Sequence, residues 1–348
     1  MRTPDHPAPD AVRVHRAARI EDWFHGIRER SARRRGHVPT IVPYAGYGSV
    51  DWVRILCRVL LSKPAGSRGS ARTRARREQG IRGWRSFTSV PVGDVAVRIR
   101  IGGQELEVVA DRGGVVDAKV PVSLPPGRHE AVLSTDGGVD QHAPIDVIAP
   151  GTKLGIISDV DDTVMVTALP RPLLAAWNTF VLDEHARMPT PGMAVLLERL
   201  SRAHPDAPVI YLSTGAWNVA PTLTRFLSRN LYPAGTLLLT DWGPTHDRLF
   251  RSGRIHKEDN LRRLAQEFPD MRWVLIGDDG QHDESIYGEF AAEHPENVEA
   301  IAIRQLSAGE AVLAGGRSRA ELHGVSAPWI SANDGATLLK RMEELGLL

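Results

Sequence analysis

The sequence predicts a chain in two parts: a small β-sandwich, then a doubly wound α/β unit built on a parallel sheet. Three observations predict this. Short strand-like runs at 95–101, 105–110, 115–122 and 129–134 are punctuated by Gly-Gly, Arg-Gly-Gly and Pro-Pro-Gly turns. After Pro150, continuous apolar runs at 154–158, 208–212, 236–239, 273–276 and 298–303 alternate with helical stretches near 191–203, 218–229, 257–268, 284–293 and 333–346. Strands that are apolar throughout are what a parallel sheet covered on both faces requires. The third observation is that acidic and hydroxyl residues gather directly after those runs, where such a sheet binds its ligands.

Taken in order, residues 1–50 read as a basic N-terminal helical or arm segment. Residues 11–35 alternate arginines with Val14, Ala18, Trp23 and Ile27 at helical spacing. Such a helix suits an anionic membrane surface or packing against the next domain equally well. Residues 51–150 form the predicted sandwich. Its first strand places Val53, Ile55, Cys57, Val59 and Leu61 on one face and Arg54 and Arg58 on the other, the alternation of a half-buried strand. Residues 62–80 carry Gly, Ser and Arg with almost nothing apolar and read as a mobile loop. Residues 151–348 make the α/β unit.

Composition narrows the function classes. The 348 residues hold 43 Lys and Arg against 42 Asp and Glu, a net charge of +1. That total hides an asymmetry, because residues 1–86 contain 19 basic and 7 acidic side chains. A basic front can serve nucleic acid, an anionic membrane or a solvated segment; no nucleic-acid partner is expected. The single Cys57 excludes an internal disulfide and a zinc-cysteine cluster, and is expected to be a small buried hydrophobe. With no apolar signal core and no run approaching ~18 apolar residues, a cytoplasmic chain is expected, with peripheral contact to the inner membrane surface through its basic segment.

The chemistry is read from the strand tips. The run 154–158 leads into Asp159-Val160-Asp161-Asp162-Thr163; VIYL leads into Ser213-Thr214; WVLIG leads into Asp278-Asp279, with Asp283 close behind. Lys257 is expected to open the helix before that last strand. Only five basic residues are Lys, so a Lys at this place carries some information where Arg is the chain's usual cation. Gathered carboxylates repel one another unless a divalent cation neutralises them, and all-oxygen ligands suit Mg²⁺. One carboxylate can attack phosphorus while a second, two residues on, protonates the leaving oxygen and later activates water. A hydroxyl at Ser213 and an ammonium at Lys257 would hold the phosphoryl oxygens. Competing motifs fail: a calcium loop from Asp159 would meet Val164 where Gly is needed and Pro170 where Glu is needed, and neither GxxxxGK[ST] nor GxSxG occurs. Helix capping accounts for one of the acids and not for the set.

These motifs, DVDDT (159–163), Ser213, Lys257 and GDD (277–279), resemble the four signatures of the haloacid dehalogenase superfamily. ISDVDDTV (157–164), WNTF (177–180), PTPGM (189–193), FP (268–269) and VLIGDDGQHDESIY (274–287) resemble, within it, the phosphatidate phosphatase catalytic domain family of fungal actin-patch proteins and bacterial relatives. PYAGYGS (43–49) is similar to the segment that precedes the domain in bacterial members.

The resemblance implies a haloacid dehalogenase-like sheet with a minimal cap, preceded by a small all-β sandwich of immunoglobulin or transthyretin type. It implies Asp159 as nucleophile and metal ligand, and Asp161 as general acid/base that also lends its carbonyl to Mg²⁺. Thr163 braces the loop, Ser213 and Thr214 bind phosphate, Lys257 pairs with nucleophile and phosphate, and Asp278 completes the metal site. Relatives commonly read GDSG where this chain reads GDDG, so Asp279 or Asp283 supplies the remaining acid; Asp283 lies on the pattern's spacing and is preferred. Thr214-Gly215 stands where relatives often have Asn-Ser. The segment between the first two signatures leaves little room for a large cap, which favours bulky substrates, and Trp177 and Phe180 are candidates to line the entrance. The expected function is Mg²⁺-dependent hydrolysis of a phosphomonoester through an aspartyl phosphate, with phosphatidate as the implied substrate. The alternatives are a soluble or protein phosphoester, or a membrane- or partner-binding scaffold with a slow or idle phosphatase domain.

Overall fold

A computed structural model describes residues 26–62, 90–166, 188–240, 246–280, 282–313 and 326–348. The expectations for residues 1–25, the loop 63–80, the minimal cap, the element at Leu173–Asp183, and Trp177 and Phe180 lie outside the described residues.

The first part contributes nine strands to one hydrogen-bonded network: β1 (Val38–Pro43), β2 (Gly46–Ser49), β3 (Trp52–Ser62), β4 (Val90–Pro91), β5 (Ala96–Ile101), β6 (Gln104–Val109), β7 (Val115–Pro121), β8 (Gly127–Ser134) and β9 (Gln141–Val147). Strands β1 and β2 fall inside the stretch expected to be an arm, so pairing begins earlier than the predicted boundary at residue 51. Strand β3 differs from its sequence reading as well: it is buried on both faces along almost its whole length, not half-buried. Val53, Ile55, Cys57 and Val59 fill the interior of the β-rich part, while Trp52, Leu56 and Leu60 join the core of the α/β part. The arginines that suggested a solvent face are paired, Arg54 with Asp117 and Glu267, and Arg58 with the Gly113 carbonyl. Cys57 lies in that interior, where burial pushes its thiol up to about 12.

Residues 26–34 are helical (α1), and Ala32 packs on Leu61, Val90 and Val92. For this described end of the basic segment the contact is with the protein itself.

The second part is a six-stranded, wholly parallel sheet in the order β14-β13-β10-β15-β16-β17. Its strands are β10 (Leu154–Asp159), β13 (Val209–Ala216), β14 (Thr236–Thr240), β15 (Arg272–Asp278), β16 (Val298–Arg304) and β17 (Trp329–Ala332). The helices α2 (Met193–Ala203), α3 (Ala220–Arg229), α4 (His246–Glu267), α5 (Asp283–Glu293), α6 (Ala308–Leu313) and α7 (Gly335–Glu344) alternate with the strands after β10. The chain runs outward from β10 through β13 to β14, then returns to the other side of β10 for β15. That reversal leaves a crevice at the carboxyl ends of β10, β13 and β15. A two-stranded ribbon, β11 (Met165–Val166) against β12 (Met188–Pro189), stands beside it. Among the described residues no helix is long and apolar enough to cross a membrane.

Candidate active site

Asp159 is the last residue of β10, and the backbone turns sharply behind it. The amides of Val164 and Met165 both donate to the Val160 carbonyl, and Asp162 adopts a left-handed φ of 61°. Asp tolerates that conformation better than most residues. Arg304, nearly buried at the end of β16, donates to the Asp162 carbonyl at 2.6 Å and to Glu310 at 2.6 Å. The Tyr232 hydroxyl donates to the Val164 carbonyl at 2.6 Å. Neither Arg304 nor Tyr232 was legible as a loop-holding residue, since both act on backbone carbonyls and sit in no motif.

Three carboxylates meet behind this turn: Asp159, Asp278 and Asp283 each present an oxygen, all within 4.8 Å of one another, and all three residues are buried. Lys257 bridges two of them, with Nζ 2.6 Å from Asp159 and 2.5 Å from Asp283. Thr163 donates to Asp278 at 3.4 Å, and the Gly280 amide donates to Asp278 at 2.6 Å. Asp279 does not enter the cluster; its carboxylate accepts the Leu306 amide at 2.8 Å and its own amide donates to the Arg304 carbonyl, tying β15 to the end of β16. Of the two acids left open by the sequence, Asp283 is the one that faces Lys257.

Lys257 does not open its helix, as the sequence reading had it. Helix α4 begins at His246, and Lys257 lies in its middle. The arginine-rich first half carries too few apolar residues for a helical stripe to be seen, and Gly253 is tolerated within it.

Asp161 stands apart from the cluster and is half-buried. It accepts the Ser213 hydroxyl at 3.0 Å, and that hydroxyl in turn accepts the Gly215 amide at 2.9 Å. The pairing of β13 with β14 shifts register between Leu212 and Ala216, which places Ser213 in an irregular stretch, a common device for aiming a side chain. Thr214 is exposed next to it, and its carbonyl accepts the Thr240 hydroxyl at 2.9 Å.

Three carboxylates against one ammonium leave the buried cluster with excess negative charge. Burial raises the Asp159 carboxyl well above its ordinary range, and the Asp283 and Asp161 charges add to this while Lys257 opposes it. Asp278 is raised for the same reason, by burial and then by Asp283 and Asp159. Burial works to lower Lys257, but the Asp159 and Asp283 carboxylates prevail and hold its ammonium well above the usual range. A hard divalent cation fits this donor set, since it would offset the charge that Lys257 alone does not.

Gly277 makes the cluster possible. A Cβ there would lie 2.7 Å from Asp283 Oδ2 and 2.7 Å from the fully buried Tyr287 ring. Gly277→Ala is therefore expected to displace the Asp283 carboxylate or the Tyr287 ring and to destabilise the fold by about 1–3 kcal/mol, read by urea melts; an unchanged midpoint would refute this.

A carboxylate held against a lysine, with a hydroxyl presented from the neighbouring strand, is an arrangement suited to removal of a phosphoryl group, the chemistry of the phosphatase class. Residues 154–305 of this chain match the family model "Phosphatidate phosphatase APP1, catalytic domain". The match spans most of the α/β part and contains Asp159, Asp161, Ser213, Lys257, Asp278 and Asp283. Among curated proteins, an uncharacterised protein of Schizosaccharomyces pombe is 29% identical over 162 residues, 44% of this chain and 25% of the relative. Phosphatidate phosphatase APP1 of Saccharomyces cerevisiae is 24% identical over 179 residues, 49% of this chain and 30% of the relative. The aligned stretches thus cover between a quarter and a third of these relatives' length. Among solved structures, a class C acid phosphatase from Bacillus anthracis with tungstate bound overlaps with a TM-score of 0.29 at 18% identity, over 42% of this chain and 65% of that one. A carbohydrate acetylesterase from Xanthomonas citri overlaps with a TM-score of 0.27 at 12% identity, over 77% of this chain and 68% of that one. Overlaps of that size carry no argument.

Proposed function

We propose that the chain is a Mg²⁺-dependent phosphomonoester hydrolase of the haloacid dehalogenase type, working through an aspartyl phosphate, with phosphatidate as its substrate. The observation that carries the reading is Lys257 lodged between Asp159 and Asp283 beside a third buried carboxylate. Asp159, Asp278 and Asp283, with the Asp161 carbonyl, would hold Mg²⁺, which when bound neutralises the carboxylates and polarises the phosphoryl oxygens.

The chain's own residues then divide the work. Lys257 holds Oδ1 of Asp159, which leaves Oδ2 to attack phosphorus. As the Asp159–phosphorus bond forms, the bond to the leaving oxygen breaks, and Asp161 gives that oxygen its proton. Asp161 next takes a proton from water, whose oxygen attacks phosphorus and releases inorganic phosphate and the free Asp159 carboxylate. Ser213 and Lys257 hold the phosphoryl oxygens while charge shifts across them, with Thr214 at the rim of the pocket. The position of Asp161, half-buried and outside the carboxylate cluster, suits a group that must exchange protons with water.

Phosphatidate is supported by the family description and by the name of the yeast relative. The Arg-rich residues ahead of β1, which precede the β-rich part read as an immunoglobulin- or transthyretin-like sandwich, are proposed to meet the anionic lipid surface at ~1 kcal/mol per well-placed side chain. A turnover panel with Mg²⁺ tests the substrate: phosphatidate in vesicles, soluble phosphomonoesters and phosphopeptides. Phosphatidate is expected to be turned over fastest. Soluble sugar phosphates winning by a wide margin would remove the lipid reading, and a folded chain idle on all three would favour the scaffold.

A further inference from the structure

Among the described residues, Tyr44 of the β-rich part meets the turn that directly follows β13, the strand carrying Ser213. Tyr44, in the short link between β1 and β2, is tied to its own sheet by its amide, which donates to the Leu56 carbonyl at 3.0 Å. Its ring stacks on Trp217 with centroids 4.7 Å apart and planes 22° apart, and its hydroxyl donates to the Trp217 carbonyl at 3.1 Å. Both residues are buried, at 8% and 5% exposure. Trp217 opens the single 3₁₀ turn that follows β13, and its carbonyl also accepts the Ala220 amide at the start of α3. Ser213 to Ala216, the irregular last four residues of β13, therefore lead into a carbonyl fixed from two directions. Within that stretch, the Gly215 amide orients the Ser213 hydroxyl.

A second contact of the same kind acts on the helix that carries Lys257. The Tyr47 hydroxyl donates to Glu267 at 2.6 Å, Arg54 pairs with Glu267 and with Asp117, and Arg263 pairs with Asp117 at 2.7 Å. Trp52 and Tyr47 pack on Phe268 just beyond the end of α4. The β-rich part thus grips both elements that present phosphoryl-binding groups, α4 at its carboxyl end and β13 at the Trp217 turn that follows it.

We infer that Tyr44 is a positioning residue for the phosphatase site, fixing from the β-rich part the irregular end of β13 that presents Ser213 to the phosphoryl group. The inference rests on the assignment of Ser213 to phosphoryl binding. It makes the β-rich part a component of the catalytic machinery and not only a means of recruitment.

The test uses the full chain and two variants, Tyr44→Phe, which keeps the stack and loses the donor, and Tyr44→Leu, which loses both. Amide hydrogen exchange is expected to rise in Tyr44→Leu by about tenfold or more across residues 213–219 and to stay unchanged across 274–278, with Tyr44→Phe intermediate. KM for an aryl phosphate is expected to rise about fivefold in Tyr44→Phe, the worth of one hydrogen bond, and further in Tyr44→Leu. In a Ser213→Ala background the same Tyr44 substitutions are expected to cost no additional KM, since coupled residues do not add. Exchange that rises uniformly over the chain, or KM losses that add in the double variant, would overturn the inference. A Ser213→Ala variant with unchanged KM would also remove it, and would do so through the assignment of Ser213, because the local exchange pattern would still be present.

Discussion

Asn in place of Asp159 is expected to lower aryl phosphate hydrolysis by roughly four orders of magnitude or more, the scale on which removal of a covalent nucleophile is felt. The amide keeps the size of the side chain and an oxygen for Lys257, but it is a poor nucleophile and a poor cation ligand. The fold should survive, because Lys257 retains Asp283 as a partner at 2.5 Å and the variant buries one charge fewer. The measurement is initial rate beside a thermal melt of the same sample. Full activity in a folded Asp159→Asn protein would refute the aspartyl phosphate, and an unfolded protein would refute the energetic account of the cluster.

The second large effect concerns charge. Chelation is expected to abolish turnover and added Mg²⁺ to restore it, because three buried carboxylates share one ammonium. Asp278→Asn is expected to break that dependence while stabilising the cation-free protein by about 1–3 kcal/mol. The sign follows from linkage. Burial, then Asp283 and Asp159, raise the folded-state affinity of Asp278 for a proton above its unfolded value. The cation-free fold therefore gains stability as pH falls through that raised value toward the ordinary carboxylate range, and lacks that gain as pH rises. In Asp278→Asn that part of the pH dependence should vanish. Urea melts at pH 5 and pH 7.5 in the presence of chelator measure it, and a variant less stable than the parent at pH 7.5 would show that Asp278 is not under charge strain.

The sequence exposed the α/β part because its strands are apolar from end to end: LGII, VIYL and WVLIG leave no competing period, and each ends in the acids or hydroxyls of the site. Asp159, Asp161, Ser213 and Asp278 were legible for that reason. Asp283 was legible only by spacing, and its preference over Asp279 is explained by the Leu306 amide that Asp279 accepts. Other features were hidden by their partners. Arg54 and Arg58 made β3 read as one-sided, although Glu267 and Asp117 satisfy Arg54 in a buried setting. Strand β17 was missed because four residues beginning with Trp329 give too short a run. Arg304 and Tyr232 act through backbone carbonyls, and Tyr44 acts across the boundary between the two parts, so no local pattern announces them.

The order of the parallel sheet has a kinetic meaning. Strand β10 pairs with β15 from Leu154 opposite Arg272 onward, so Asp159 and the pair Asp278 and Asp283 come together only after the chain has left for β13 and β14 and come back. Contacts of such long sequence separation form late, because closing the intervening loop costs entropy before the contact repays it. The carboxylates repel least while they remain apart, and they meet when the sheet closes. A cation that needs all three finds its site only in the finished fold. It would slow the unfolding of this protein far more than it hastened the folding.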